Sequence, residues 1–147
     1  PPHAEYHLPW PGANDNFVNK LTLKQLTKIF KANPKIKLVY FFGSKATGQD
    51  GPMSDYDFAV YLHEKDKKKM FDAQLGLIGK VTKVLKTDNV DIVILNTVEM
   101  PELKYNIIKD GKLIYEQEPF RVIVEPKILM EYFDFNIQLK KNGLLEA

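Results

Sequence analysis

From residue 22 to 33, Leu23, Leu26, Ile29 and Phe30 recur at helical spacing, with Thr22 at an N-cap position and Asn33-Pro34 as a stop. The pattern then changes. Residues 36–42, IKLVYFF, form a β-branched and aromatic run that ends on Gly43 and predicts a central strand. After KATGQDGPM, read as a loop, Tyr56, Phe58, Val60 and Leu62 alternate with Asp57, Ala59 and Tyr61, so a second strand turns its aromatic face to the core. Residues 64–86 place Met70, Phe71, Leu75, Ile78, Val81, Val84 and Leu85 near a helical period, with Gly76 and Gly79 as points of slack. The remaining segments predict a third strand over 89–95, a short helix over 101–109 closed by Asp110-Gly111, a fourth strand over 112–115 and a C-terminal helix over 126–141. The order α-β-β-α-β-α-β-α predicts an α/β or α+β fold, one sheet covered by helices.

Length and composition narrow the class. A chain of 147 residues is one domain of ordinary size, able to bury a core without staples. It contains no cysteine, which removes disulfides and thiolate metal sites and fits a cytoplasmic location. No apolar run has the length of a membrane span, so no membrane partner is expected. The net charge of +2 is too mild to indicate direct nucleic-acid binding, and the KDKKK run at 65–69 reads as a solvated helix face. The opening PPHAEYHLPWPGANDN lacks an initiator Met and is rich in Pro, Gly and Asn, so residues 1–20 read as a flexible, processed or appended lead and 21–147 as the single domain. His3 and His7 have the i, i+4 spacing of a helical metal pair, but the surrounding prolines argue against a helix there.

The chemistry concentrates in FFGSKATGQDGPMSDYDFAVY, residues 41–61. GSKATG has the glycine spacing of a Walker A loop, but Gln49 and Asp50 stand where its Lys and Ser/Thr belong. G-x-G-x-x-G is absent, and Ala59 and Val60 spoil a calcium loop starting at Asp55. Asp55 and Asp57, at i and i+2, point to one face of a strand, about 7 Å apart at roughly 3.3 Å per residue. Carboxylates set into an apolar strand need a partner or a cation, and oxygen-only donors with room for phosphate oxygens suit Mg2+ or Mn2+. Asp91 interrupts a second apolar strand, NVDIVIL. Each aspartate alone has an ordinary explanation as a turn, edge or cap residue. Three converging on one point are the parts of a two-metal phosphoryl-transfer site.

Gly43-Ser44, the ten residues from Lys45 to Ser54, Asp55-Tyr56-Asp57 and the later Asp91 resemble the signature of the DNA polymerase β nucleotidyltransferase superfamily. SDYDFAVYL, VDIVILN and LKYNIIKDGKLIYE are similar to its minimal nucleotidyltransferase (MNT) members, among them the antitoxin partners of HEPN-domain RNase toxins. The resemblance runs from about residue 36 to 116, with an echo in MEYFDFN. It implies a mixed β-sheet of about four to five strands, a bound NTP with Mg2+, and transfer of a nucleoside monophosphate, AMP from ATP in the antitoxin branch, to a tyrosine of a HEPN toxin. Carried onto this chain, it implies that Gly43, Ser44 and Lys45 bind the nucleotide. Asp55, Asp57 and Asp91 would hold the metals, with Asp91 also placed to act as general base. The toxin is the partner it implies, and either a homo- or a hetero-oligomer is compatible with the sequence. The loop departs from the family's usual GSRARG: Lys45 keeps a point charge, whereas Thr47 removes a fork of donors.

Two other functions are compatible with the residues. One is nucleotide transfer to a small molecule such as an aminoglycoside, for which the chain is short. The other is a non-enzymatic antitoxin with a vestigial pocket, against which stand Ser44, Asp55, Asp57 and Asp91. Tyr132 and Asp134 read as a helix face packing on the sheet.

Overall fold

The computed structural model describes residues 17–48 and 55–143; the lead up to residue 16, with His3 and His7, and loop residues 49–54 lie outside them. Among the described residues the elements run α1 (Phe17–Ala32), β1 (Ile36–Phe42), α2 (Ser44–Thr47), β2 (Tyr56–Leu62), α3 (Lys67–Leu85), β3 (Val90–Ile94), α4 (Pro101–Asp110), β4 (Lys112–Glu116) and α5 (Phe120–Lys141), with a 3-10 turn at Leu95–Thr97. The strands form one mixed sheet in the order β3-β2-β1-β4. β1 is antiparallel to both neighbours, and β2 and β3 are parallel, joined across the sheet by α3. The predicted single sheet covered by helices is the observed architecture.

β1 is central because both of its faces are apolar. Val39 and Phe41 join Phe58, Val60 and Ile92 under Leu26 and Phe30 of α1 and Leu77 and Val81 of α3. Leu38 and Tyr40 face the other way, toward Ile107 of α4 and Val124 and Ile128 of α5. Burial of these side chains, about 1.5–3 kcal/mol for each large one, holds the layers together. No polar side chain among the described residues is fully buried without a hydrogen bond. Two polar contacts fix the register of the layers. Asn96 exchanges hydrogen bonds with the Leu62 backbone, accepting from its N–H at 2.9 Å and donating to its C=O at 2.7 Å. The Tyr40 hydroxyl donates to Glu125, which Arg121 also engages at 3.3 Å. Burial, and then that carboxylate, hold the Tyr40 pKa far above the usual tyrosine range.

Some boundaries differ from those predicted. α1 begins at Phe17, so Thr22 lies within the helix and is not its cap. α3 begins at Lys67, where Asp66 accepts the Lys68 N–H at 2.9 Å; the KDKKK run therefore supplies a helix cap and four exposed lysines. α5 begins six residues before Pro126, because Phe120 and Val124 anchor an earlier turn on the sheet and Pro126 faces outward. Asp66→Ala is expected to lower the unfolding free energy by about 1 kcal/mol, measured by urea titration, whereas Asp72→Ala in the same helix leaves it nearly unchanged.

Candidate active site

The site is assembled at one end of the sheet. Because β1 runs antiparallel to β2, the C-terminal end of β1 lies beside the N-terminal ends of β2 and β3. The chain leaves β1 at Phe42, turns at Gly43 and enters the single helical turn α2. Asp57 sits between Phe42 on one side and Asp91 on the other, paired in register with both. Directly opposed residues of neighbouring strands project to the same face. The parallel register thus brings Asp57 and Asp91 together on strands about 4.8 Å apart. Asp55, two residues before Asp57, is exposed immediately ahead of β2.

Gly43 is tied to this carboxylate. Its backbone lies at φ 86 and ψ −169, a region open in practice to glycine alone, and a Cβ built there would overlap the Asp57 carboxylate. The turn and the acid are therefore in direct contact. Ser44 follows as the first residue of α2, where a backbone N–H has no helical acceptor and points outward. Gly43 carbonyl accepts from the N–H groups of Ala46 and Thr47, and Gly48 closes the turn in the left-handed conformation. Thr47 donates its hydroxyl to the Ser44 carbonyl at 3.2 Å, so its side chain is spent on the turn itself. Lys45 extends over the ring of Tyr56, with Nζ 4.7 Å from the centroid, and Tyr56 stacks on Phe41.

The acids repel one another. Partial burial, then the charges of Asp91 and Asp55, push Asp57 up to about 6. Among the described residues no three His, Asp or Glu side chains form a preformed metal cage, and Asp55 lies ahead of β2, outside the paired strands. The donor set is nevertheless three carboxylates around a turn that has a free amide, an arrangement that fits a hard divalent cation bridging to phosphate oxygens. A separate groove of about 380 Å3 lies toward the opposite ends of β2 and β3, lined by Tyr61, Leu95, Lys104 and residues of α5. None of the predicted site residues borders it. Tyr132 stacks on Tyr105 with centroids 3.9 Å apart and Asp134 is exposed, so this part of α5 packs on α4 and does not join the acids.

The profile of the family described as Polymerase beta, Nucleotidyltransferase matches residues 24–120, a stretch that contains the whole turn and all three aspartates. The chain belongs to this family. It is a nucleotidyltransferase, an enzyme whose donor is a nucleoside triphosphate. It is 33% identical over 108 residues to Protein adenylyltransferase MntA of Aphanizomenon flos-aquae, an alignment covering 68% of this chain and 67% of that protein. In fold it is similar to the crystal structure of a toxin-antitoxin with AMP-PNP (TM-score 0.65, 23% identity, 84% and 94% of the two chains). A structure of a tri-AMPylated Shewanella oneidensis HEPN toxin in complex with MNT antitoxin gives a TM-score of 0.64 at 22% identity, covering 83% and 92%. No helix among the described residues is long and apolar enough to cross a membrane.

The mixed sheet and the nucleotidyltransferase class agree with the sequence-based expectation. Sequence reasoning missed α2, because KAT inside a Gly-rich stretch carries no periodic signal. The i→i+3 and i→i+4 bonds back to Gly43 could only be seen in three dimensions. It also missed that Lys45 pairs with Tyr56, a contact between a turn and the next strand.

Proposed function

We propose that the protein transfers AMP from ATP to a hydroxyl of a HEPN-type toxin and so acts as its antitoxin. The observation that carries this reading is the parallel register of Asp57 and Asp91 against the Gly43-Ser44 turn. The family match and the relative named as a protein adenylyltransferase support nucleotidyl transfer to a protein. The fold-level neighbours named as HEPN and MNT complexes suggest the acceptor's class.

In this reading the Ser44 amide and hydroxyl bind the outer phosphates of the nucleotide, as oriented N–H groups at a turn do. Lys45, held over Tyr56, adds a positive charge at the mouth of the turn. Asp55, Asp57 and Asp91 are the residues that would hold Mg2+ or Mn2+. When bound, the cations neutralise the triphosphate and polarise the phosphoryl group under attack. Asp91, exposed at the edge strand, takes the proton of the acceptor hydroxyl as its oxygen bonds to the α-phosphorus. The bond from the α-phosphorus to the β-phosphate oxygen breaks, and pyrophosphate leaves. Alignment and charge neutralisation supply most of the rate. The expected compartment is the cytoplasm, where nucleoside triphosphates are available.

The test is incubation with Mg2+, a HEPN-domain partner and labelled ATP, CTP, GTP or UTP in turn. Label is expected on the partner, from ATP, and absent with Asp55→Asn/Asp57→Asn. Label that persists in the double variant would remove the aspartates from the mechanism. Neutralisation of the toxin by that variant without labelling would establish a binding antitoxin instead. In a parallel measurement, ATP and Mg2+ together at ten to a hundred times Kd should stabilise the wild type by about 1.4–2.7 kcal/mol, visible as a raised Tm. The Tm of Asp57→Asn should not move.

A further inference from the structure

α5 is apolar on the side that faces away from the protein as well as on the side that packs on it. Val124 and Ile128 are buried against the sheet. On the opposite side Met130, Phe133 and Ile137 remain 67%, 53% and 51% exposed, with Val122 beside them at 72%; Ile123, 55% exposed, stands at the edge of that side, where it also borders the groove. Ile123, Pro126, Met130, Phe133 and Ile137 are spaced 3, 4, 3 and 4 residues apart, the a/d repeat of a helix seam. Five large apolar side chains in one continuous stripe are not the scattered exposure normal for a monomer's surface. A helix that is apolar all round is covered on both sides in its working state.

We propose that this stripe joins two copies of the chain, packed through α5 in antiparallel register about a two-fold axis. Such an interface must be complementary to itself, since each contact occurs twice with the copies exchanged. The register that sets Met130 against Phe133 of the second copy also sets Pro126 against Ile137 and lays the Lys140 stem over Ile123. Charge decides the direction. Lys127 and Asp134 flank the stripe on the same side, both exposed, and in this register each comes beside the other residue of the second copy, giving two symmetric ion pairs. A parallel pairing sets Lys127 beside Val122 and Asp134 beside Leu129, where neither charge meets its opposite. Lys127 has no ion pair with another described residue in the monomer, nor has Asp134.

Sedimentation equilibrium of the full chain at tens of micromolar, without ligand, tests this. The wild type is expected to be dimeric, and Met130→Glu/Phe133→Glu monomeric with an unchanged circular dichroism spectrum. Asp134→Lys should weaken the dimer at least tenfold, and Lys127→Glu/Asp134→Lys should restore it, because the pair is re-formed with its signs exchanged. A wild type that stays monomeric throughout, including one that associates only when a HEPN partner is added, overturns the proposal. So does a dimer that survives Met130→Glu/Phe133→Glu, or a charge exchange that fails to restore what the single reversal lost.

Discussion

Asp57→Asn is expected to lower nucleotidyl transfer by about 10^3-fold while making the ligand-free protein more stable at neutral pH. The loss follows from charge neutralisation at the phosphates, worth several kcal/mol in the transition state, with 1.36 kcal/mol for each factor of ten. The gain follows from the same carboxylate in the absence of ligand. Burial and the charges of Asp91 and Asp55 raise its pKa from 3.8 to about 6. A carboxylate whose folded-state pKa lies above its unfolded value favours the fold below pH 4, and that contribution is lost as the pH rises through 6. The shift corresponds to about 3 kcal/mol at full value, and solvent screening at this half-exposed position reduces it to about 1 kcal/mol. Urea unfolding without nucleotide or divalent ions should therefore find Asp57→Asn more stable than wild type by about 1 kcal/mol at pH 7.5. The difference should vanish at pH 4. A variant less stable than wild type at pH 7.5, or a difference that ignores pH, would show that the aspartates are not held in mutual repulsion. If both halves of the prediction hold, the site is one that sacrifices stability for function in the sense common to active sites.

The same three acids explain how much could be read from the chain before its fold was seen. Asp55, Asp57 and Asp91 stand out because each is set in or beside an apolar run, and alternation along 56–62 already puts Asp57 opposite the core-facing Phe58 and Val60. Whether Asp91 meets Asp57 is a different kind of question. It depends on which strands are neighbours and on a register that a shift of one residue would reverse, placing Asp91 in the core and Ile92 outside. Only the parallel ladder from Tyr56 and Val90 to Val60 and Ile94 fixes it. The helix ends were less legible for a related reason. Phe120 to Glu125 is helical because Phe120 and Val124 pack on the sheet and extend α5 beyond its sequence signal, and local propensity is weaker than packing of that kind. The outward stripe of α5 was hidden by its own partner face, since a sequence apolar on both sides has no amphipathic period to mark which side is free.

Gly43→Ala should damage both the turn and the chemistry that depends on it. Alanine at φ 86 and ψ −169 is strained by about 1–3 kcal/mol whatever surrounds it, and here its Cβ would also occupy the place of the Asp57 carboxylate. Either the turn moves, carrying the Ser44 amide out of line, or the carboxylate rotates away from Asp91. Both break the alignment on which transfer depends, so activity should fall by 10^2-fold or more, the scale expected for a misplacement of about 1 Å. Backbone strain and collision can be separated by a double-mutant cycle with Asp57→Ala. The strain is present in Gly43→Ala whether or not Asp57 keeps its carboxylate, whereas the collision disappears with it. Gly43→Ala should thus cost at least 1 kcal/mol less in the Asp57→Ala background than in the wild type, measured by chemical denaturation. Strictly additive effects would mean that the turn and the carboxylate do not touch. A positive coupling would show that the glycine is required at this position for the acid beside it as much as for the bend in the chain, because the turn that meets the phosphates and the strand that carries Asp57 are built against each other.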